Sequence, residues 1–556
     1  MLVNANAILN YNRCRRFAAL NDPFTSLYLN SGLGEENSLF RDIILSHLYH
    51  PENEIRKNIN LTYEFEHEIT LSENYDFIVD DNKVYCLFSN TSSDFKDLQY
   101  KDSLYKHQVF RKNEEGIYYY KHKKTNKSLE EKLEKLLSPY ESTGKLIFNY
   151  ALKLYLLNKV YPEKKYQLFF VLLNSDYVYD GISYSNQLYD IFDFSGLNEL
   201  TEMVEISLFR MINHIELNDF TPCKLVKKAC AKDKNGECKF TNFCYSHLPK
   251  DTSILDYFNN QYGFVEPSEN GNIHHDTYDL LNEGYVSMQD LPISWLKDQN
   301  HLMQRYCVDN QHLYFHNDKI KAGLKQLKFP IYYLDFEAMP LAIPRFIGES
   351  PYSQSVFQYS VHIEEEENEL KSIDKNHHSF IANSKKDERE KLLINLLNIL
   401  NKTDSSIVVY NKTFEKTRLE EFKKIFPKYQ KEIEKVINRL FDLLDIVKLN
   451  KSFYQMLGFK SEDLESYNLY ASELGGSYSL KKVIGLFAPK AYESLIINDG
   501  VKAYRAYEKT INSSPTEAKI IKENLFLYCR QDTYSMYQII QGLKTLIGPE
   551  FTIKNS

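Results

Sequence analysis

The stretch IYYLDFE at residues 331–337 constrains this chain more than any other. Its apolar and aromatic character over a strand's length predicts a buried β-strand, yet it carries two acids, Asp335 and Glu337. Residues two apart on a strand face the same way, so the two carboxylates project together. Burying such ions without partners is costly, and a bound divalent cation is a common remedy. An Asp-x-Glu pair is a weak sign by itself, because the chain holds 76 acidic residues and such pairs arise by chance. Its setting on an apolar strand is what gives it weight.

Two further elements carry acids in unusual places. Residues 528–532 (YCRQD) lie in a helical stretch whose apolar stripe runs through Leu525, Cys529, Met536, Ile539 and Leu543. Tyr528 and Asp532 are four apart and share a helix face, and Asp532 falls on the stripe, so a core position has been given to an acid. A hydrogen-bonded structural Asp is the bland alternative. Between these elements, residues 407–410 (IVVY) predict a short strand that Asn411 ends, and Phe414 with Glu415 opens a helix. Glu415 therefore stands at the mouth of a strand-to-helix turn, where open α/β sheets place ligand groups. The competing reading is that it only complements the helix N-terminus.

At 556 residues and 43% hydrophobic, the chain can bury the cores of two or three domains without staples. There is no run of 18 apolar residues and no signal-like start, so a cytoplasmic protein without a membrane partner is expected. A formal charge of −8 argues against a protein that coats nucleic acid through bulk positive charge, so any such contact must be local. Eight cysteines are too sparse for a disulfide scaffold, and a cluster among them points to metal before bridges. The pattern divides as an α/β domain over residues 1–250, a helical connector over 251–327 with a polar break at 267–275, and a second α/β domain over 328–556. Strands are expected at 83–88, 166–173, 331–337, 355–363 and 406–410, and helices at 387–400 and from residues 414 and 518. The acidic run 364–367 reads as a solvated turn or strand edge.

Acid-x-acid on a first strand, Asn-x-x-aromatic-acid after a later one, and Tyr-x-x-x-Asp on a late helix, in this order, resemble the three signatures of the tyrosine-bearing DEDD exonucleases of the RNase H-like superfamily. The resemblance implies that Asp335, Glu337, Glu415 and Asp532 hold two divalent cations, Mg2+ or Mn2+, roughly 3.5 to 4 Å apart. It also implies that Tyr528 orients, or takes a proton from, the attacking water. The chain departs from the pattern at Glu415, where Asp is usual, which puts the geometry of the second cation in doubt. Asp442 and Asp445 (FDLLDIV) are substitute carboxylates in principle, but read better as structural.

Cys230, Cys238 and Cys244 fall close together, Cys223 lies just ahead, and Cys14 stands near the start in YNRCRRF. Thiolates this close suggest Zn2+ or an iron–sulfur cluster. One early cysteine and three late ones resemble the RecB-like nucleases of the PD-(D/E)xK superfamily, including CRISPR-associated and AddB-type members. By that resemblance Cys14, Cys230, Cys238 and Cys244 bind a 4Fe-4S cluster that pins the domain's start to its end. Cys223 competes for the place of Cys230, and structural Zn2+ is the alternative. Cys86, Cys307 and Cys529 read as core residues. Asp76 stands where such a nuclease has its first acid, but residues 87–90 carry neither the acid nor the lysine that should follow. The front domain is thus expected to be catalytically silent and to hold nucleic acid, with residues 118–124 (YYYKHKK) and 224–239 as candidate aromatic and basic contacts unless they are ordinary solvated surface.

With DFE, YNKTFE, GGSYSLKK and YCRQDT in its back half, the whole chain resembles the bacterial domain-of-unknown-function family numbered 2779. The expectation is a metal-dependent nuclease, a 3′–5′ exonuclease acting on single-stranded ends of DNA or RNA. Residues 475–482 (GGSYSLKK) either touch backbone phosphate or form only a turn and a helix start. The competing expectation is a non-catalytic nucleic-acid-binding or assembly protein carrying two relic nuclease folds.

Overall fold

A computed structural model describes residues 2–14, 16, 34–65, 69–122, 126–216, 230, 238, 240–548 and 551–553. The chain divides into two compact units, Met1–Ser246 with Leu341–Ser353, and His247–Pro340 with Gln354–Ser556. Each mixes helices and sheets.

In the first unit, α1 (Ala5–Arg13) and α2 (Gly34–Leu48) precede most of a mixed eight-stranded sheet. The strands are β1 (Leu2–Val3), β2 (Ile55–Glu64), β3 (Thr70–Val79), β4 (Lys83–Thr91), β5 (Phe110–Lys112), β6 (Ile117–Tyr120), β7 (Gln167–Leu173) and β8 (Tyr189–Asp193). Their order is β1-β3-β4-β7-β8-β6-β5, with β2 also paired to β3. β2, β3 and β4 form an antiparallel meander, whereas β4 and β7 are parallel, so the chain must return between them; α3 (Ser142–Val160) makes that return. β7 reads QLFFVLL because both sheet faces are covered. One face packs on α3 through Ile147, Leu152 and Leu156. The other packs on Ile43 and Ile44 of α2 and on Ala342 and Ile343 of the inserted segment.

This unit decides the standing of Asp76. Its Oδ1 accepts from Arg41 Nε at 2.7 Å, and its Oδ2 accepts from the Leu87 N–H at 2.8 Å. Both oxygens are engaged by the chain itself. In the aromatic stretch, two of the three tyrosines also pack within the unit. Tyr118 stacks on Phe192 with ring centroids 4.9 Å apart, and Tyr120 is buried against Phe110. Residues 123–125 and, apart from Cys230 and Cys238, residues 217–239 lie outside the described residues, Cys223 and most of the basic stretch 224–239 among them.

The second unit begins with the stretch expected to be a helical connector. It contains α4 (Gln299–Asn310) and α5 (Asn317–Leu324), but also an antiparallel hairpin of β9 (Phe264–Ser268) and β10 (Gly271–His275) where only a polar break was expected. The two-residue turn is Glu269-Asn270, Gly271 follows it at φ 120, and Pro267 is tolerated in so short a two-stranded ribbon. A five-stranded sheet follows, formed by β11 (Ile331–Pro340), β12 (Gln354–Glu364), β13 (His377–Ile381), β14 (Ile407–Val409) and β15 (Leu440–Asp442), in the order β13-β12-β11-β14-β15. β12 is antiparallel to β11 and β13, while β14 and β15 run parallel to β11. The chain thus builds outward on one side of β11, then crosses over through α6 (Arg389–Leu400) and builds on the other side. Among the helices that follow are α7 (Thr413–Ile425), α8 (Leu480–Gly485), α9 (Gly500–Lys509) and α10 (Pro515–Ile547). α10 opens with Ser514 capping the Glu517 N–H and Pro515 in its first turn. Its Met536, Ile539, Ile540 and Leu543 pack in one core with Tyr333 and Val408, while α6 and α7 pack in another with Leu334, Phe336 and Val409.

The acidic run is in part the solvated turn or strand edge expected, since Glu365 and Glu366 are exposed where the chain turns, but its two ends are engaged. Glu364 ends β12 fully buried, accepts from Tyr333 Oη at 2.6 Å, and has its carboxyl pushed up by that burial. Glu367 pairs with Lys544 at 2.9 Å.

Candidate metal centre

β11 is the point at which strand order reverses, and ligand groups in open α/β sheets gather in the crevice beyond the strand ends at such a point. Asp335 stands opposite Ser360 and Glu337 opposite Gln358, and the pairing register breaks between Glu337 and Ala338. Such a break bends a strand and re-aims its side chains, a device that recurs beside functional sites. Glu337 is 7% exposed, and Asp335 keeps somewhat more contact with the crevice.

Polar bonds seat α10 across this strand. Gln358 Nε2 donates to the Leu525 carbonyl at 3.0 Å, Ser360 Oγ and Thr533 Oγ1 lie 2.8 Å apart, and Thr533 Oγ1 lies 2.8 Å from His362 Nδ1. Cys529 Sγ donates to Asp335 Oδ2 at 3.4 Å, across 194 positions of sequence. Tyr528 and Asp532, both 5% exposed, follow on the same helix.

The third acid is positioned by a turn. Asn411 adopts a left-handed φ of 66, and Asp442 holds the turn closed by accepting from the N–H groups of Asn411 and Lys412 at 2.9 and 2.8 Å. Asp442 is therefore structural, as its spacing suggested, and Asp445 accepts from Asn450 Nδ2 at 2.5 Å. Glu415 lies in the first turn of α7, is 2% exposed, and has an Oε2 that meets no donor.

The electrostatics show that these groups converge. Burial, then the charges of Asp532, Glu337 and Glu415, push the Asp335 carboxyl well above its ordinary range. Glu337 is raised by burial and by Asp532 and Glu415, with Lys481 opposing. Burial raises Glu415 to about 8. Burial raises Asp532 to about 6, against the hydroxyls of Tyr492 and Tyr528 and the charge of Lys481. Tyr528 is pushed far up by burial and by Asp532, Glu337 and Asp335, so its phenol keeps its proton. Asp335, Glu337, Asp532 and Tyr528 thus act on one another, and the Glu415 charge reaches Asp335 and Glu337 from the turn, where Asp442 and Arg418 are its own charged neighbours.

Three more stand with them. Tyr492 Oη donates to Asp532 Oδ1. Lys481 Nζ donates to Tyr528 Oη at 3.3 Å and lies over the Tyr528 and Tyr492 rings. Lys481 belongs to the GGSYSLKK segment, whose Ser479 also caps α8, so that segment is both a helix start and a supplier of one cation to the site. Cys529, read as a core residue, was the other omission. One ligand-type atom each from Asp335, Glu337 and Cys529 all lie within 4.8 Å of one another.

In the first unit, burial pushes the Cys244 thiol up, Arg16 opposes it, and Cys14 and Cys238 both add to the rise. Cys14 and Cys238 therefore each lie within electrostatic reach of Cys244, and Arg16 lies 5.2 Å over the Phe243 ring. Cys230 is partly exposed.

The second unit is thus a mixed α/β body holding a buried cluster of carboxylates with the donor chemistry of a divalent-cation site. The family described as "Domain of unknown function (DUF2779)" matches residues 332–479, which include Asp335, Glu337 and Glu415 and stop short of α10. The chain is 28% identical to the uncharacterized protein MG366 of Mycoplasma genitalium over 243 residues, 41% of this chain and 34% of that protein. It is 28% identical to the MG366 homolog of Mycoplasma pneumoniae over 282 residues (48% and 40%), and 24% identical to the uncharacterized protein UU173 of Ureaplasma parvum over 249 residues (41% and 33%). The chain spans well under half the length of these relatives. No solved structure matches.

Proposed function

We propose that the second unit is a metal-dependent nuclease, acting as a 3′–5′ exonuclease on DNA or RNA ends, as its RNase H-like reading implies. The observation that carries this is the convergence of Asp335, Glu337, Glu415 and Asp532 from three separate elements beside Tyr528, with one Glu415 oxygen buried and unpartnered. Three buried carboxylates and the half-buried Asp335 repel one another, and a fold has little reason to gather them unless cations neutralise them. Divalent cations held there would neutralise charge on the phosphate and make water a better nucleophile. Asp335 and Glu337 bind from the strand, Asp532 from the helix opposite and Glu415 from the turn beside them. Tyr492 fixes Asp532 through its hydroxyl. Tyr528, a neutral phenol in the metal-free site, orients the attacking water or takes a proton from it. Lys481, beside the Tyr528 hydroxyl, offers a positive charge to a phosphate oxygen.

The first unit serves in this reading as a silent grip on the strand, its Asp76 occupied by Arg41 and a backbone N–H. Cys14, Cys238 and Cys244, with Cys230 or Cys223, hold a 4Fe-4S cluster, with zinc as the alternative occupant. The protein is cytoplasmic in this reading. Among the described residues no helix is long and apolar enough to cross a membrane.

End-labelled single strands of DNA and RNA incubated with Mn2+ test the proposal. Turnover should fall by on the order of a thousandfold or more in Asp335→Ala. Zero turnover by both proteins on every strand retires the enzyme and favours the relic reading.

A further inference from the structure

A fully buried thiol on a helix's core stripe is ordinarily a small apolar filler. Cys529 occupies such a position but faces carboxylates, which an apolar filler would only desolvate. Its Sγ lies 3.4 Å from Asp335 Oδ2, and with one oxygen each of Asp335 and Glu337 it forms a set of atoms all within 4.8 Å. A second observation concerns the acid whose charge reaches this set from the neighbouring turn. Glu415 Oε2 is buried without a partner, and the Glu415 charge acts on both Asp335 and Glu337.

We propose that Cys529 Sγ is itself a metal ligand, joining Asp335 and Glu337 in a mixed sulfur–oxygen site that prefers a thiophilic divalent cation such as Zn2+ or Co2+ over Mg2+. The inference rests on the metal-centre reading of these carboxylates and adds to it the identity of the ion. Thiolate sulfur is a soft donor that suits zinc-like ions, whereas Mg2+ demands an octahedron of oxygens. Binding breaks the S–H bond, gives the sulfur pair to the ion and releases the proton to solvent, with no change of oxidation state. An all-carboxylate site would take Mg2+ or Mn2+ without sulfur and would be indifferent to residue 529.

Titration of the full chain with Co2+ reads the sulfur directly, through thiolate-to-cobalt charge-transfer absorption in the near ultraviolet. Other cysteines also bind Co2+, so the measurement is the difference between wild type and two variants, Cys529→Ser and Cys529→Ala. Both should lose one thiolate's share of the band and weaken Zn2+ binding by roughly tenfold or more, with Mg2+ binding unchanged. Identical spectra and Zn2+ affinities in all three proteins overturn the proposal. Zinc-edge X-ray absorption decides without altering the sulfur: Zn–S scattering that disappears in Asp335→Ala supports it, and an oxygen-only shell for the Asp335-dependent ion overturns it. Nuclease turnover without a sulfur signature removes the thiolate and leaves the nuclease, while a sulfur signature without turnover on any strand does the reverse.

Discussion

At the scale of single residues, the acids were legible where they broke a local pattern. Asp335 and Glu337 interrupt an apolar strand, and Asp532 interrupts an apolar stripe. Tyr492 broke no pattern in a chain with 43 tyrosines, and Cys529 fitted its stripe so well that it read as filler. Their roles come only from tertiary placement. The raised carboxyls make a prediction for the metal-free protein. Unfolded carboxylates release their protons near pH 4, whereas the folded chain holds those of Asp532 up to about 6 and of Glu415 up to about 8. The folded state therefore binds more protons between these values, so this contribution to stability is full below about pH 4 and is lost as pH rises through them. In chelator, the melting temperature should fall between pH 6 and pH 8, and Glu415→Gln should flatten that fall. A fall as steep in Glu415→Gln as in wild type would count against the buried cluster.

Elements were legible in type and less so at their ends. β12, β14 and α10 stand within a few residues of their expected limits, because period and length identify a strand or a long helix. The β9–β10 hairpin was hidden because Pro267 demotes a strand and the stretch around it is polar. How α10 docks on the sheet was also illegible, since Gln358, Ser360 and Thr533 are distant in sequence and polar in character. Yet these bonds set the distance between Asp532 and Asp335. Thr533→Val leaves His362 Nδ1 without its buried partner, while Ser360 Oγ keeps His377 Nε2, which should cost about 1–3 kcal/mol. Denaturant unfolding measures this, and turnover should fall further than stability alone explains. Full turnover in Thr533→Val would mean that these bonds do not set the site.

At the scale of the whole molecule, a change of pattern near residue 250 was readable, but neither the joining of the expected connector, residues 251–327, to the second unit nor the return of residues 341–353 to the first was. That segment leaves β11 immediately after the acids, and its Ala342 and Ile343 are apolar enough for either core. If the first unit is silent, Asp76→Asn should leave Mn2+-dependent turnover within about twofold of wild type, because Asp76 spends both oxygens on Arg41 and the Leu87 N–H. In the proposed reading, the cysteines would also tie the two ends of that unit together. Cys14 closes α1, and Cys244 closes a short helix more than two hundred positions later, so a cluster bridging them ties off nearly the whole unit. Closing so long a loop removes much of the unfolded chain's freedom, and the fold gains the metal's binding energy as well. Cys14→Ser should thus lose the visible absorption and iron of the purified protein and open the first unit to limited proteolysis. Turnover on a short oligonucleotide, which needs only the second unit's acids, should survive, while affinity for long strands should drop. A colourless wild-type protein with stoichiometric zinc would replace iron by zinc in this argument; one with no metal at all, and with Cys14→Ser as protease-resistant as wild type, would leave the four thiols as unrelated residues.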